Sequence, residues 1–160
     1  EVNVLAYAAK NGYPMKNYPY IPLWGSVDHT QRNAVALLIA DFATAYLGIM
    51  LSESDMNQIG ETDGTCVLDI NNGSYGNTTP GSAGGHCLLA WAYDGLGDTD
   101  TVSLLTWGTV QKCTWRWLES RMMESHGILW PQLNLADGLY PTGQDLASIR
   151  AQNHYLLTAQ

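Results

Sequence analysis

Gly84-Gly85-His86-Cys87-Leu88-Leu89-Ala90-Trp91-Ala92-Tyr93-Asp94-Gly95, followed after a short loop by Leu104-Leu105-Thr106-Trp107-Gly108, reads as a β-hairpin that carries one histidine. Successive side chains of a strand point to opposite faces. His86, Leu88 and Ala90 therefore share one face, and Cys87, Leu89 and Trp91 share the other, which is read as the apolar one. The glycine pair before His86 places that histidine at the opening of its strand, and Trp107-Gly108 closes the second strand.

Upstream, Asn33 to Met50 (NAVALLIADFATAYLGIM) is apolar nearly all round, with Asp41 its only charge, and predicts a buried central helix. Ser52 and Asp55 have the spacing of a capped helix start over Ser52 to Gln58. Thr114 to Met122 predicts another helix, and a last one is expected from about Asp145 to Leu157. Asn71 to Gly85 (NNGSYGNTTPGSAGG) is a turn-rich connector. The start of the chain reads as loop-rich. Residues 11–25 (NGYPMKNYPYIPLWG) hold three prolines and three tyrosines and predict an extended, aromatic arm. These features amount to an α+β class and a single domain over 1–160 with an N-terminal arm over about 1–25.

A strand-borne histidine followed by a strand ending in Trp-Gly, downstream of a central helix, resembles the papain-like cysteine peptidases, and in particular a phage and bacterial subgroup. The resemblance covers about residues 23–130. It implies a central buried helix packed on a small antiparallel sheet, shortened relative to the family because the connector leaves little room for further elements. In that subgroup the helix opens with a pattern like Asn-Asp-x-x-Gly-Asp-Cys-x-x-Ala. Here the stretch is Val27-Asp28-His29-Thr30-Gln31-Arg32-Asn33-Ala34-Val35-Ala36. Asp28 and Ala36 match, and Asn33 stands where the nucleophile would be. An amide cannot ionise to attack a carbonyl as a histidine-activated thiolate does. The family's histidine-orienting asparagine is likewise replaced, by Leu105. The resemblance thus implies a degenerate, non-catalytic site made of Asn33, His86 and Leu105, in a structural or interaction module such as a phage virion component of capsid or tail. In that reading His86 is a strand-edge histidine donating to a backbone carbonyl.

The alternative is an active cysteine peptidase or amide hydrolase using Cys66 with His86. Cys66, Cys87 and Cys113 are the chain's only cysteines, so the nucleophile would have to be found among them. A disulfide pair with one spare thiol, or three thiols packed as small hydrophobes, are both open. Without a Cys-x-x-Cys pair or histidines at helical spacing, no metal site and no cofactor is predicted. His29, His126 and His154 are expected in surface or capping roles. Asp94, Asp98 and Asp100 loosely resemble an acidic calcium loop but lack the closing glutamate.

A formal charge of -8 with only seven Lys plus Arg leaves no clustered cations to follow a phosphate backbone, so no nucleic-acid partner is expected. Asp41 interrupts the longest apolar run, so no membrane partner is expected either. One Phe against nine Tyr and six Trp makes the aromatic content amphipathic, which suits protein interfaces. Tyr13, Tyr18, Tyr20 and Trp24 of the arm are accordingly predicted to contact a neighbouring chain in a homo-oligomer or virion lattice.

Overall fold

The hairpin forms the middle of the structure. The computed structural model describes residues 2–15, 18–20, 23–70, 74–130, 137–140 and 142–152, with the side chains of 2–4, 13–15 and 18–20 left undescribed. Strand β6 (Gly84–Tyr93) pairs antiparallel with β7 (Thr101–Thr106), Leu89 lying opposite Leu105 and Ala90 opposite Leu104. Trp91 is an extra residue in this ladder, a β-bulge, after which Tyr93 turns to the face already occupied by Ala90 and packs near Trp115. Strand β8 (Thr109–Thr114) returns from β7 through Trp107-Gly108, both with positive φ, the two-residue turn whose twist matches a hairpin.

The strand following the central helix was not foreseen. Helix α2 (Arg32–Phe42) stops at Ala43, which is left-handed, and residues 45–51 form strand β4 (Ala45–Leu51) instead of continuing the helix to Met50. A buried helix and a central strand are both uniformly apolar, so composition alone does not separate them. The register gives the reason for the strand: Ala45, Leu47, Ile49 and Leu51 are buried while Tyr46 and Met50 are not, a period of two.

The sheet is larger than the small one expected. With β3 (Leu23–Val27), β5 (Val67–Leu68) and β9 (Met122–Leu129) it has seven strands in the order β3-β9-β4-β6-β7-β8-β5. Every pair is antiparallel except β5 with β8. The start of the chain is helical, α1 (Val2–Asn11), where loop was expected. The arm beyond it pairs on itself as β1 (Tyr13–Met15) and β2 (Tyr18–Tyr20). The side chains of Tyr13, Tyr18 and Tyr20 lie outside the described residues, as does the region beyond Gln152, where the last helix, α5 (Leu146–Gln152), was expected to continue.

One face of the sheet carries the core. Val35, Leu38, Ile39 and Phe42 of α2 pack on Leu47, Ile49, Leu88 and Ala90. The close approach requires Gly127, where a Cβ would stand 2.9 Å from Leu38 Cδ2. Helix α4 (Trp115–Arg121) shares this face, buries Trp115, Trp117 and Leu118, and is capped by Thr114, whose hydroxyl accepts the Trp117 N–H. Arg32 ties α2 to α4 through Glu119 at 2.7 Å, its guanidinium standing over the Trp115 ring.

Helix α3 (Glu53–Glu61) begins at the expected capping box, in which Ser52 and Asp55 each hold the other's backbone N–H. Asp55 is fully buried and accepts from Trp117 Nε1 and Arg121 Nε as well, both at 2.8 Å. Asp69 anchors the other end of α4 by accepting from Arg116 and from the Thr114 hydroxyl. The Arg116 hydrogen bonds, against burial, hold its carboxyl down at about 2.

Candidate functional site

His86 lies on the core-facing side of β6 with Leu88 and Ala90, as strand alternation requires. Its Nε2 is 2.6 Å from the Thr106 hydroxyl, and its ring stacks on Trp107 at 4.3 Å. Its described partners are a side-chain hydroxyl and a stacked indole. Trp107 is a bulky residue in the left-handed region at φ 47°, and the stack with His86 is what its ring gains there.

The three residues of the degenerate site are not assembled. Leu105 is next in chain to Thr106, but its side chain is on the opposite face from His86. Asn33 is exposed at the start of α2. The neighbouring Arg32 reaches the β6–β7 loop, donating to Leu96 O and Asp98 at 2.8 Å. His86 is at the far end of β6 from that loop, and the seven residues to Tyr93 extend over roughly 23 Å.

Cys66 precedes β5, which pairs with β8 at the opposite margin of the sheet from β3. Three strand spacings, roughly 14 Å, separate it from β6, with about 13 Å more along the strand direction to His86. Its described contact is Gln111 Nε2, 3.8 Å from the sulfur. All three cysteines are free thiols. Cys87 is exposed, because the apolar face of β6 is that of Leu88 and Ala90; the reading that placed Cys87 on the apolar side had the two faces exchanged. Cys113 is fully buried, which pushes its thiol pKa well up and leaves it a small hydrophobe.

The acidic hairpin loop is held by internal contacts. Asp94 accepts from the backbone N–H and hydroxyl of Thr101, Asp98 pairs with Arg32, and Asp100 accepts from Gly97 N–H. Among the described residues no group of three His, Cys, Asp or Glu side chains is placed to hold a metal ion, and no helix is long and apolar enough to cross a membrane.

The opposite face of the sheet has a different character. Cross-strand register lines up Ser26, His126, Tyr46, Leu89, Leu105 and Val110 in one row over six strands. Toward β8 this row is open. Leu105, Val110 and Trp91 are about two-fifths exposed, Trp107 is about half exposed, and a groove of about 470 Å³ bordered by Tyr46, Leu89, Leu105 and Trp107 reaches round to His86.

Toward β3 the same row closes over His126, which is 1% exposed and packed between Trp24 and Tyr46. His126 Nδ1 is 2.7 Å from Ser26 Oγ, and its Nε2 is 3.1 Å from Glu124 Oε2. Glu124 and His126 are two residues apart on β9 and therefore share a face. Gly48 opposite leaves the room, since a Cβ there would meet Glu124 Cγ at 2.7 Å. An ionised carboxylate only accepts, so Nε2–H donates to Glu124, and in the neutral ring Nδ1 accepts from the Ser26 hydroxyl. A surface or capping role for His126 is corrected by this burial. The i, i+2 spacing of Glu124 and His126 was the available signal, whereas the pairing with Ser26 spans a hundred residues and leaves no local trace.

No protein-family model, curated protein or solved structure matches the chain.

Proposed function

We propose that the chain is a structural or interaction module without cysteine-peptidase chemistry, and that it assembles with further copies of itself through the open face of its sheet, as a virion lattice or other homo-oligomer requires. The papain-like resemblance is part of this proposal and rests on the hairpin. The observation that carries the reading is the row Tyr46, Leu89, Leu105 and Val110, exposed at its β7–β8 end, on the face opposite the helices.

The chain has a formal charge of -8, yet among the described residues that point outward from β4, β6, β7 and β8 only Lys112 is charged. Two copies meeting by this face bury apolar rings and leucines while their acidic surfaces stay apart. One such face on each copy pairs two copies about a two-fold axis, which is the contact this reading assigns to the homo-oligomer. Trp24, whose ring packs on His126, continues the same face toward the arm.

Analytical ultracentrifugation tests the reading. The intact chain should sediment as an oligomer, and Leu105→Glu should shift it to monomer with an unchanged circular dichroism spectrum. A chain that stays monomeric at high micromolar concentration, or a variant that assembles as before, overturns it.

A further inference from the structure

We propose that Ser26, His126 and Glu124 form a serine-type acyl-transfer site that hydrolyses esters of apolar acyl groups. The inference is independent of the assembly reading, since it uses the β3–β9 end of the face, where the other uses the β6–β8 end.

Three features support it. The first is connectivity: hydroxyl to Nδ1 at 2.7 Å and Nε2 to carboxylate at 3.1 Å is the nucleophile, base and orienting acid chain of acyl transfer. The ring is turned so that Nδ1 faces the serine, but either ring nitrogen is a competent base once the other's proton is held by a carboxylate. The second is access. His126 and its neighbours are shielded, whereas Ser26 is exposed, so the group that must meet substrate is the one that solvent reaches. The third is the neighbouring surface. Trp24, two residues before Ser26 and on the same face of β3, flanks His126 together with Tyr46, so an apolar acyl group is the substrate part these rings accommodate.

The step balances with water as the only co-reactant. Ser26 Oγ forms a bond to the ester carbonyl carbon as its proton passes to His126 Nδ1, and the carbonyl π pair moves onto oxygen. Collapse breaks the carbon–alkoxide bond, and the departing alkoxide takes the proton from Nδ1. Water then attacks the acyl-serine, giving a proton to Nδ1. Release of the carboxylic acid returns that proton to Ser26 Oγ. Glu124 touches no reacting atom; it is a positioning residue that fixes the tautomer and stabilises the transient imidazolium.

The test uses the intact chain with a fluorophosphonate probe and p-nitrophenyl butyrate. Expected is one covalent phosphonyl adduct, mapped by mass spectrometry to Ser26, and ester hydrolysis that disappears in Ser26→Ala while the melting temperature holds. His126→Gln should lower the labelling rate by about 10²- to 10⁴-fold. Glu124→Gln should lower it too and shift the pH at which the rate is half-maximal, which a purely structural role would not do. An unlabelled protein, an adduct at another residue, or labelling that survives Ser26→Ala overturns the proposal and leaves the cluster a buried polar contact only. Because Leu105→Glu lies at the other end of the row, loss of assembly with labelling intact separates this inference from the assembly reading.

Discussion

Replacing Asp55 by alanine should remove a large share of the protein's stability, and the structure sets the size. The Asp55 carboxylate is fully buried and accepts four contacts: Ser52 N–H at 2.8 Å, Trp117 Nε1 at 2.8 Å, Arg121 Nε at 2.8 Å and Arg121 Nη2 at 3.3 Å. Arg121 is itself 6% exposed. Without Asp55 its guanidinium keeps Ser120 Oγ at 3.1 Å, with Thr78 O and Ser52 Oγ only at 3.4 and 3.5 Å, none of them a carboxylate. Breaking a buried ion pair from one side costs about 3–5 kcal/mol, because the remaining charge stays in a poor solvent. The lost capping box costs about 1 kcal/mol on its own but overlaps that figure. Asp55→Ala should therefore destabilise by about 4 kcal/mol, a large fraction of the roughly 5–15 kcal/mol available to a domain. Urea unfolding followed by tryptophan fluorescence measures it, with the m-value as the check that only stability has changed. The double variant Asp55→Ala/Arg121→Met should be less destabilised than the two single changes added, by at least about 1.5 kcal/mol. The pH dependence has a definite sign. Burial raises the Asp55 pKa, but the hydrogen bonds from Arg121, Trp117 and Ser52 more than offset it and the net shift is downward. The stabilisation is thus fully present above the ordinary carboxylate value of about 4 and is lost as pH falls through the lowered folded value, so Asp55→Ala should flatten the acid limb of the stability curve. A cost under about 1 kcal/mol, or an additive double variant, would refute the reasoning.

Restoring a cysteine at the helix start tests the resemblance. Asn33→Cys should yield no peptide cleavage in a fluorogenic assay, because α2 opens at the β6–β7 loop and His86 is at the other end of β6; turnover by that single variant would show that the two sites do communicate. Gly127→Ala should cost about 1–3 kcal/mol in the same urea experiment, since its Cβ would stand 2.9 Å from Leu38 Cδ2 and 3.2 Å from the Phe42 ring; a neutral variant would mean that α2 is not seated as tightly as these distances say.

Parts of the fold stated by short-range chemistry were legible. The β6–β7 hairpin follows from a two-residue period, and α3 and α4 follow from Ser52-Asp55 and Thr114, whose caps need only residues within three positions. The helix drawn from Asn33 to Met50 failed for a physical reason. The boundary at Ala43 uses a left-handed alanine, where glycine is the usual signal, and both flanking elements are buried and apolar. The site was less legible still. Its candidates came from matching positions along a line, while the sheet order β3-β9-β4-β6-β7-β8-β5 brings residue 26 beside residue 126 and moves residue 66 away from residue 86.

The two described histidines of the sheet show why geometry has to select between residues of one type. His86 meets a threonine hydroxyl and an indole face. A hydroxyl donates or accepts as required, and an aromatic ring fixes orientation without fixing a proton, so nothing among these two contacts chooses the His86 tautomer. His126 meets a carboxylate on one nitrogen and a serine hydroxyl on the other. The carboxylate cannot donate, which in the neutral ring puts the proton on Nε2 and leaves Nδ1 as an acceptor facing Ser26. In the proposed step, a proton moving from Ser26 to Nδ1 creates an imidazolium beside that carboxylate, which stabilises it. On the proposal made above, the proton acceptor is His126, whose sequence surroundings carry no familiar pattern, because its Nδ1 faces a serine and its Nε2 a carboxylate.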